Sequence, residues 1–471
     1  MADHYELRRV MRLRDLLIDH VGRFFSNAAV EALVSTEIRF IPYQEASSAR
    51  GHSIVIPTDG QAHVVDQTPW HVGFNGTTLT LWNRLRAPQG DDWTAVPSPA
   101  TPLWYVHSSG SVMPAWDVFG TLSGLLELEE ETGTARDKHG RALAANSPRR
   151  AAGLLEVPAV NEAAAAMVAL AMADTPDACL WLSEGALRSP LLVLSHDVDV
   201  LMGNDPWGQF MRLGGAIAPL ARLRPPRWDY VRLIAENWRN PKRYYMDDIA
   251  RMIDAESAHG YRSAFYFLMG RRGLYGPRYG LHAIREALSV IPAGWVAGIH
   301  YSYYSYLRDD AFGGDVSSLT QVSGQAPLSG RAHYLRHDPA RSPAFLARFG
   351  IIVDESIGYP DAVGYRAGIA GPYRIPDVTT PDGRPMTEMP LVVMDGPLLE
   401  YDDPAATFER LLRHLSRIGG ALSLLTHPGT MDNPQRPKAR GLYRDMLATA
   451  SDLGFVGVPA ESLIGEMGDA R

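Results

Sequence analysis

The chain has 471 residues, 46% hydrophobic and 21% charged, an ordinary globular composition with enough apolar material for two or more domains. Its formal charge of −8 argues against nucleic acid as a partner. The single cysteine, Cys179, excludes an intramolecular disulfide and any cysteine-based zinc site, and it fits a reducing cytosol.

In chain order, MADHYELRRVMRLRDLL predicts an amphipathic helix without the uninterrupted apolar core of a signal peptide. Short β-like runs follow, HSIVIP and TTLTLW, with turns at Asp59-Gly60 and Asn75-Gly76. The stretch 114–131, PAWDVFGTLSGLLELEEE, has a helical pattern with an acidic end, and DKHGRALAANSP after it is polar and turn-rich. PAVNEAAAAMVALAMAD reads as a helix, and its apolar run is about half what a bilayer crossing needs. The expectation is a cytoplasmic protein with no transmembrane segment. The first 185 residues carry no nucleotide-binding glycine motif, no G-x-S-x-G elbow and no H-E-x-x-H. They read as a mixed α+β accessory domain, 1–185, ahead of a second domain, 186–471.

From Leu191 the pattern changes to short apolar runs alternating with amphipathic helices. The predicted strands are LLVLSH, SAFYFL, WVAGIH, the stretch near HYLR (333–336), IIVD, MPLVVM, ALSLLT and FVGV. Helices are predicted at 246–260, with Gly260 as C-cap, at SPAFLARFG, with Ser342 as N-cap, and at DDPAATFERLLRHLSRIGG. Near-continuous apolar strands alternating with helices predict an α/β fold, a parallel sheet covered by helices, in barrel form if it closes. Chemistry in such folds gathers where strands end.

The strand ends carry the titratable residues. LLVLSHDVDV runs from four apolar residues straight into His196, Asp197 and Asp199. Two carboxylates at the end of a buried strand need a metal, a proton or a cation to offset desolvation. In extended chain they project to one side and His196 to the other, so a metal site, or a base beside a metal, is one reading. An Asp N-cap with a surface turn is the other. Further along, His300 ends the third strand, Arg331, His333 and Arg336 surround the fourth, Asp354 ends the fifth and His427 the seventh. Between Asp199 and Met246 lies an insertion of roughly 45 residues, rich in Trp and Arg, that leaves the strand edge directly. It reads either as a lid over the site or as a packed helical excursion with a basic face.

With these residues in place, about 190–466 resembles the polysaccharide deacetylases, the family 4 carbohydrate esterases with NodB homology. HDVD is similar to the D-x-D form of the family's first motif. GIHYSYYSYL keeps His300 of the H-[ST]-x-x-H motif but has Tyr304 where the second histidine stands. GRAHYLRHD is similar to R-x-P-[YF] with His333 in place of proline, DESIGYP to the D-S-S-[LI] segment, and LLTHPG to the final L-x-H motif. The N-terminal half resembles an uncharacterised domain that precedes some deacetylases of this HDVD type. The resemblance implies a distorted (β/α)7-type barrel and a metal-dependent deacetylase. It implies Asp197 as base, Asp199 and His300 as metal ligands with His333 as replacement third ligand, and a backbone N–H near Tyr334 for the oxyanion.

His427 would then protonate the departing amine, and Arg331 or Arg336, less readily Arg366, would keep Asp197 ionised. The cofactor expected is a divalent metal, zinc first, since zinc accepts mixed nitrogen and oxygen donors. The partner expected is an acetylated amino sugar or glycan precursor. Two other readings stay open: a catalytically silent carbohydrate-binding barrel, and a glycoside hydrolase using Asp197 and Asp354.

Overall fold

The computed structural model describes residues 2–90, 92–173, 179–223, 225–431 and 433–464. Its central feature is a curled sheet built from β1 (Leu191–Val198), β2 (Ala264–Leu268), β3 (Val296–Tyr301), β4 (Ser329–Ala332), β5 (Val353–Asp354), β6 (Tyr373–Thr379), β7 (Pro385–Glu388), β8 (Val393–Met394), β9 (Ala421–Leu425) and β10 (Val456–Val458). The spatial order is β6-β7-β5-β4-β3-β2-β1-β9-β8, and β10 pairs with β1. Neighbours from β5 through β1 to β8 are all parallel, as expected for strands joined by helical crossovers. The two ends meet just past β5 and just before β8: Gly358 bridges Leu391, whose N–H donates to the Ile357 carbonyl at 2.9 Å. The result is a distorted seven-stranded barrel whose seam is held by very little ladder.

Each apolar run became a strand because both of its faces are covered. Leu192, Val193, Leu194, Phe265, Phe267 and Leu424 are fully buried. Gly298 permits a close approach, since a Cβ there would sit 2.6 Å from both the Tyr266 ring and the Ser329 carbonyl oxygen. Tyr266 can therefore lie across the barrel interior.

Several boundaries differ from expectation. The fourth strand is Ser329–Ala332, and HYLR beyond it is a tight turn in which Tyr334 and Leu335 take left-handed backbone angles. The sixth strand shrinks to two residues. The antiparallel hairpin β6–β7, unforeseen because β6 is largely exposed and irregular in pattern, extends the sheet beyond β5. Ser342 is the first helical residue rather than the cap, with Arg341 before it.

The N-terminal part is mixed α and β. It holds a long first helix (Ala2–Phe24), a hairpin turning at Asn75-Gly76 (Trp70–Phe74 with Thr77–Leu81), a five-stranded sheet and the buried helix Ala159–Met172. The helix expected over 114–131 is shorter, Val118–Leu126, after a strand ending at Pro114. One hydrophobic core runs from Leu13 to Leu463 and includes both parts. Polar groups also cross between them. The Asn161 amide bonds the Ala370 and Gly419 carbonyls at 3.0 and 2.9 Å, and the Arg366 guanidinium grips Glu131 at 2.6 and 2.8 Å.

Candidate active site

Strand alternation settles which side chains enter the barrel. Asp197 on β1 pairs in register with Tyr266, His300 on β3 with Arg331, and all four face inward. Asp197 Oδ1 receives the Arg331 guanidinium at 2.7 Å. The same guanidinium reaches Ser195 Oγ and Glu355 Oε2, each at 2.6 Å, and its Nε bonds the Glu355 carbonyl at 2.9 Å. Glu355 also accepts from the Tyr266 hydroxyl. Arginine suits this position because its planar fork serves four acceptor atoms on three residues at once.

Arg336, the other arginine considered for Asp197, does not reach it. Its guanidinium lies 4.6 Å from the Tyr303 ring and 4.3 Å from the Tyr306 ring, because the left-handed turn at 334–335 swings it away from the barrel axis. Arg366 is committed to Glu131.

His300 Nδ1 lies 2.8 Å from the Arg331 carbonyl oxygen, which can only accept. Nδ1 therefore carries the proton, and the lone pair of a neutral ring sits on Nε2. That nitrogen faces Asp199 Oδ1 at 3.4 Å and Asp197 Oδ2 at 3.6 Å. His333 Nε2 faces the same Asp199 oxygen at 3.6 Å. Donor atoms of Asp199, His300 and His333 all lie within 4.8 Å of one another. Tyr304 is elsewhere: its hydroxyl accepts from the Tyr275 N–H at 3.2 Å, and Arg271 stacks on its ring.

These residues fit a metal. Asp199 Oδ1, the oxygen that both histidines face, is buried without a hydrogen-bond partner among the described residues. Burial holds His333 down at about 4, against the pull of Asp199, so the ring is neutral. Burial opposes the charge on Asp199, but His333 and His300 outweigh it and keep the carboxyl below its usual range. Two imidazoles and one carboxylate form an open donor set of the kind zinc takes in hydrolytic sites.

His427 stands at the end of β9. Its Nδ1 lies 2.8 Å from Asp395 Oδ1, and Asp395 Oδ2 accepts from the His427 N–H at 3.0 Å and the Thr430 hydroxyl at 2.7 Å. Burial disfavours the imidazolium, yet Asp395 outweighs it and raises His427 to about 9.

Four contributors escaped sequence reasoning. Asp395 follows the sixth predicted strand directly, so the strand-end rule applied there could have found it. Glu355 and Ser195 neighbour residues already singled out. His139 gave no signal. It comes from the N-terminal part, and its ring lies 4.7 Å from Tyr334, 5.5 Å from Tyr275 and 5.7 Å from Tyr303. Arg141, two residues on, donates to the Tyr334 carbonyl at 3.1 Å. Tyr334, beside His333, is 37% exposed, so this aromatic group forms part of the mouth.

Asp354 does not join Asp197. It faces outward, with His337 Nδ1 at 3.1 Å from its Oδ2 and with Glu388 near both. The carboxylate pair needed by a glycoside hydrolase is therefore not assembled from these two residues. A cavity of about 1090 Å³ between the first helix and β6 contains none of the inward-facing residues.

The fold is a distorted α/β barrel with these titratable side chains gathered at one end of its strands. No family model and no curated protein matches the chain. Among solved structures it is similar to a family 4 carbohydrate esterase from Streptomyces lividans in complex with acetate, at 10% identity and a TM-score of 0.28, covering 57% of this chain and 91% of that one. It is also similar to the peptidoglycan deacetylase PdaC from Bacillus subtilis, at 11% identity and a TM-score of 0.29, covering 60% and 95%. PuuE allantoinase is a further neighbour, at 13% identity and a TM-score of 0.38, covering 60% and 91%.

Proposed function

We propose that this chain is a metal-dependent hydrolase that removes an acetyl or similar acyl group from an amino sugar or glycan precursor. The observation that carries the reading is the meeting of three elements at one barrel end: a carboxylate held by a buried arginine, a two-histidine, one-aspartate donor set, and a histidine backed by its own aspartate. A silent binding barrel has no need of the third element.

A divalent ion, zinc by preference, held by Asp199, His300 and His333 would polarise the acyl oxygen and acidify water. The remaining work belongs to the chain. Arg331 engages Oδ1 of Asp197 and leaves Oδ2 to take the proton from the attacking water. His427 gives a proton to the amine nitrogen as the C–N bond breaks, while Asp395 keeps its ring oriented and charged. One water is consumed, and a carboxylate and a free amino sugar leave. A backbone N–H near Tyr334 is assigned to the oxyanion.

The aromatic faces of Tyr275, Tyr303, Tyr334 and His139 suit a sugar ring better than a compact polar substrate. In this reading 1–185 is an accessory unit that lends His139 to the barrel of 186–471. The setting is cytoplasmic, in keeping with a chain whose single cysteine, Cys179, is buried. No helix among the described residues is long and apolar enough to cross a membrane.

The test is acetate release from a panel of acetylated amino sugars by the full chain loaded with zinc. Activity lost in Asp197→Asn, with metal content unchanged, supports the reading. A zinc-loaded wild type that releases no carboxylate from any member of the panel, while binding those sugars, leaves the silent barrel standing instead.

A further inference from the structure

The insertion after β1 folds as two helices, Pro206–Ile217 and Trp228–Arg239, packed against each other. Their inner faces are ordinary: Leu233 packs with Tyr244 and Tyr245 in a small core beside Val200. Their outer faces are not. Of nineteen large apolar side chains exposed among the described residues, ten fall between Trp207 and Trp238. Trp228 is 63% exposed, Phe210 63%, Trp238 62%, and Leu223 at the tip 99%. Isolated exposed leucines are commonplace, but half of a protein's exposed apolar side chains on one hairpin mark an interaction surface.

Charge says what kind. Residues 206–243 contain eight Lys and Arg against two acidic residues, within a chain whose formal charge is −8. A hairpin that is basic and rich in tryptophan, on an otherwise acidic protein, matches an anionic interface of apolar depth. A second copy of this chain would bring two basic hairpins together. We infer that the 206–239 hairpin is a membrane-docking element that lies in the headgroup region of an anionic bilayer, with Trp207, Phe210, Leu223, Trp228 and Trp238 in the apolar layer and the arginines at the phosphates.

Its position gives the docking a consequence. The hairpin starts a few residues past Asp199, and its base is tied to the catalytic edge. Gln209 and Arg212 bond the Gly203 carbonyl at 2.8 and 3.1 Å. Tyr245 packs on Gly429, two residues after His427, where a Cβ would lie 2.9 Å from its ring. A docked hairpin thus holds the site at the bilayer surface. On the deacetylase reading, on which this step rests, the substrate class is an amino sugar carried on a lipid.

The experiment is co-sedimentation of the zinc-loaded full chain with vesicles of phosphatidylcholine alone and of phosphatidylcholine with phosphatidylglycerol, at low and high salt. The expected result is binding to the anionic vesicles with a blue shift in tryptophan emission, weakened on neutral vesicles and by salt. Trp207→Ser with Trp228→Ser and Trp238→Ser should weaken it about tenfold or more while leaving hydrolysis of a water-soluble acetylated amino sugar unchanged. No binding to either vesicle by the wild type overturns the proposal. So does a dimer in sedimentation velocity that the same three substitutions dissolve. Vesicle binding without any acyl hydrolase activity would instead sink the deacetylase reading and leave the docking surface intact.

Discussion

The Arg331 guanidinium donates to Asp197 across 2.7 Å in a setting where neither side chain reaches solvent. A buried charge pair of this kind is costly to break from one side, because the partner is left ionised without compensation. Here the partner is the proposed base, so the contact that sustains the fold also sets the chemistry.

Arg331→Ala should therefore cost about 3–5 kcal/mol of stability. Arg331→Lys should fold better yet remain impaired, because an ammonium has no planar fork to span Asp197, Ser195 and Glu355. Urea unfolding of the two variants checks this, and a lysine variant as stable as wild type would contradict it.

Removing any one of Asp199, His300 or His333 should lower metal affinity by tenfold or more, whereas Tyr304→Phe should leave it unchanged. Metal analysis after gel filtration separates the two outcomes. Chelator should abolish acyl hydrolysis, and added zinc should restore it.

His427 is charged below about 9, so a rate that needs it as acid should fall as pH rises through that value. In Asp395→Asn the chief source of the upward shift is gone, and the alkaline limb should move down by at least one pH unit. The same linkage affects folding. The raised value contributes stability that is fully present below about 6.5 and is lost as pH climbs through about 9. A pH–rate profile and pH-dependent melting of the two proteins test both statements.

His139→Ala should raise KM for an acetylated amino sugar several-fold with a smaller effect on kcat, because its ring packs among the tyrosines at the mouth and not against Asp197. Equal losses in kcat and kcat/KM would move His139 into the chemistry.

Burial and the neighbouring Asp354 push the Glu388 carboxyl well above the usual carboxylate range. Replacement by the neutral isostere in Glu388→Gln should then change stability by no more than about 1 kcal/mol. Asp354→Asn serves as the comparison in the same unfolding assay.

Much of this was legible in the chain. The HDVD segment, His300 and His427 stand at strand ends, and the strands announced themselves as apolar runs because both faces of a helix-covered parallel sheet must exclude water. The hairpin β6–β7 was not legible. Its first strand is largely exposed without regular alternation, and sheet extension at an edge leaves little periodic trace.

The local pattern by itself determined which residues were available for chemistry: short-range rules place carboxylates and imidazoles where strands stop. Which of them meet was decided only in three dimensions. Arg331 and Arg336 are five residues apart and alike in sequence, yet the left-handed turn at Tyr334 and Leu335 sends one to Asp197 and the other to Tyr303. Asp354 and Glu355 are adjacent, and the pleat turns the second toward Arg331 and the first away from it. His139 reaches Tyr303, 164 residues further along the chain, a contact that only packing creates.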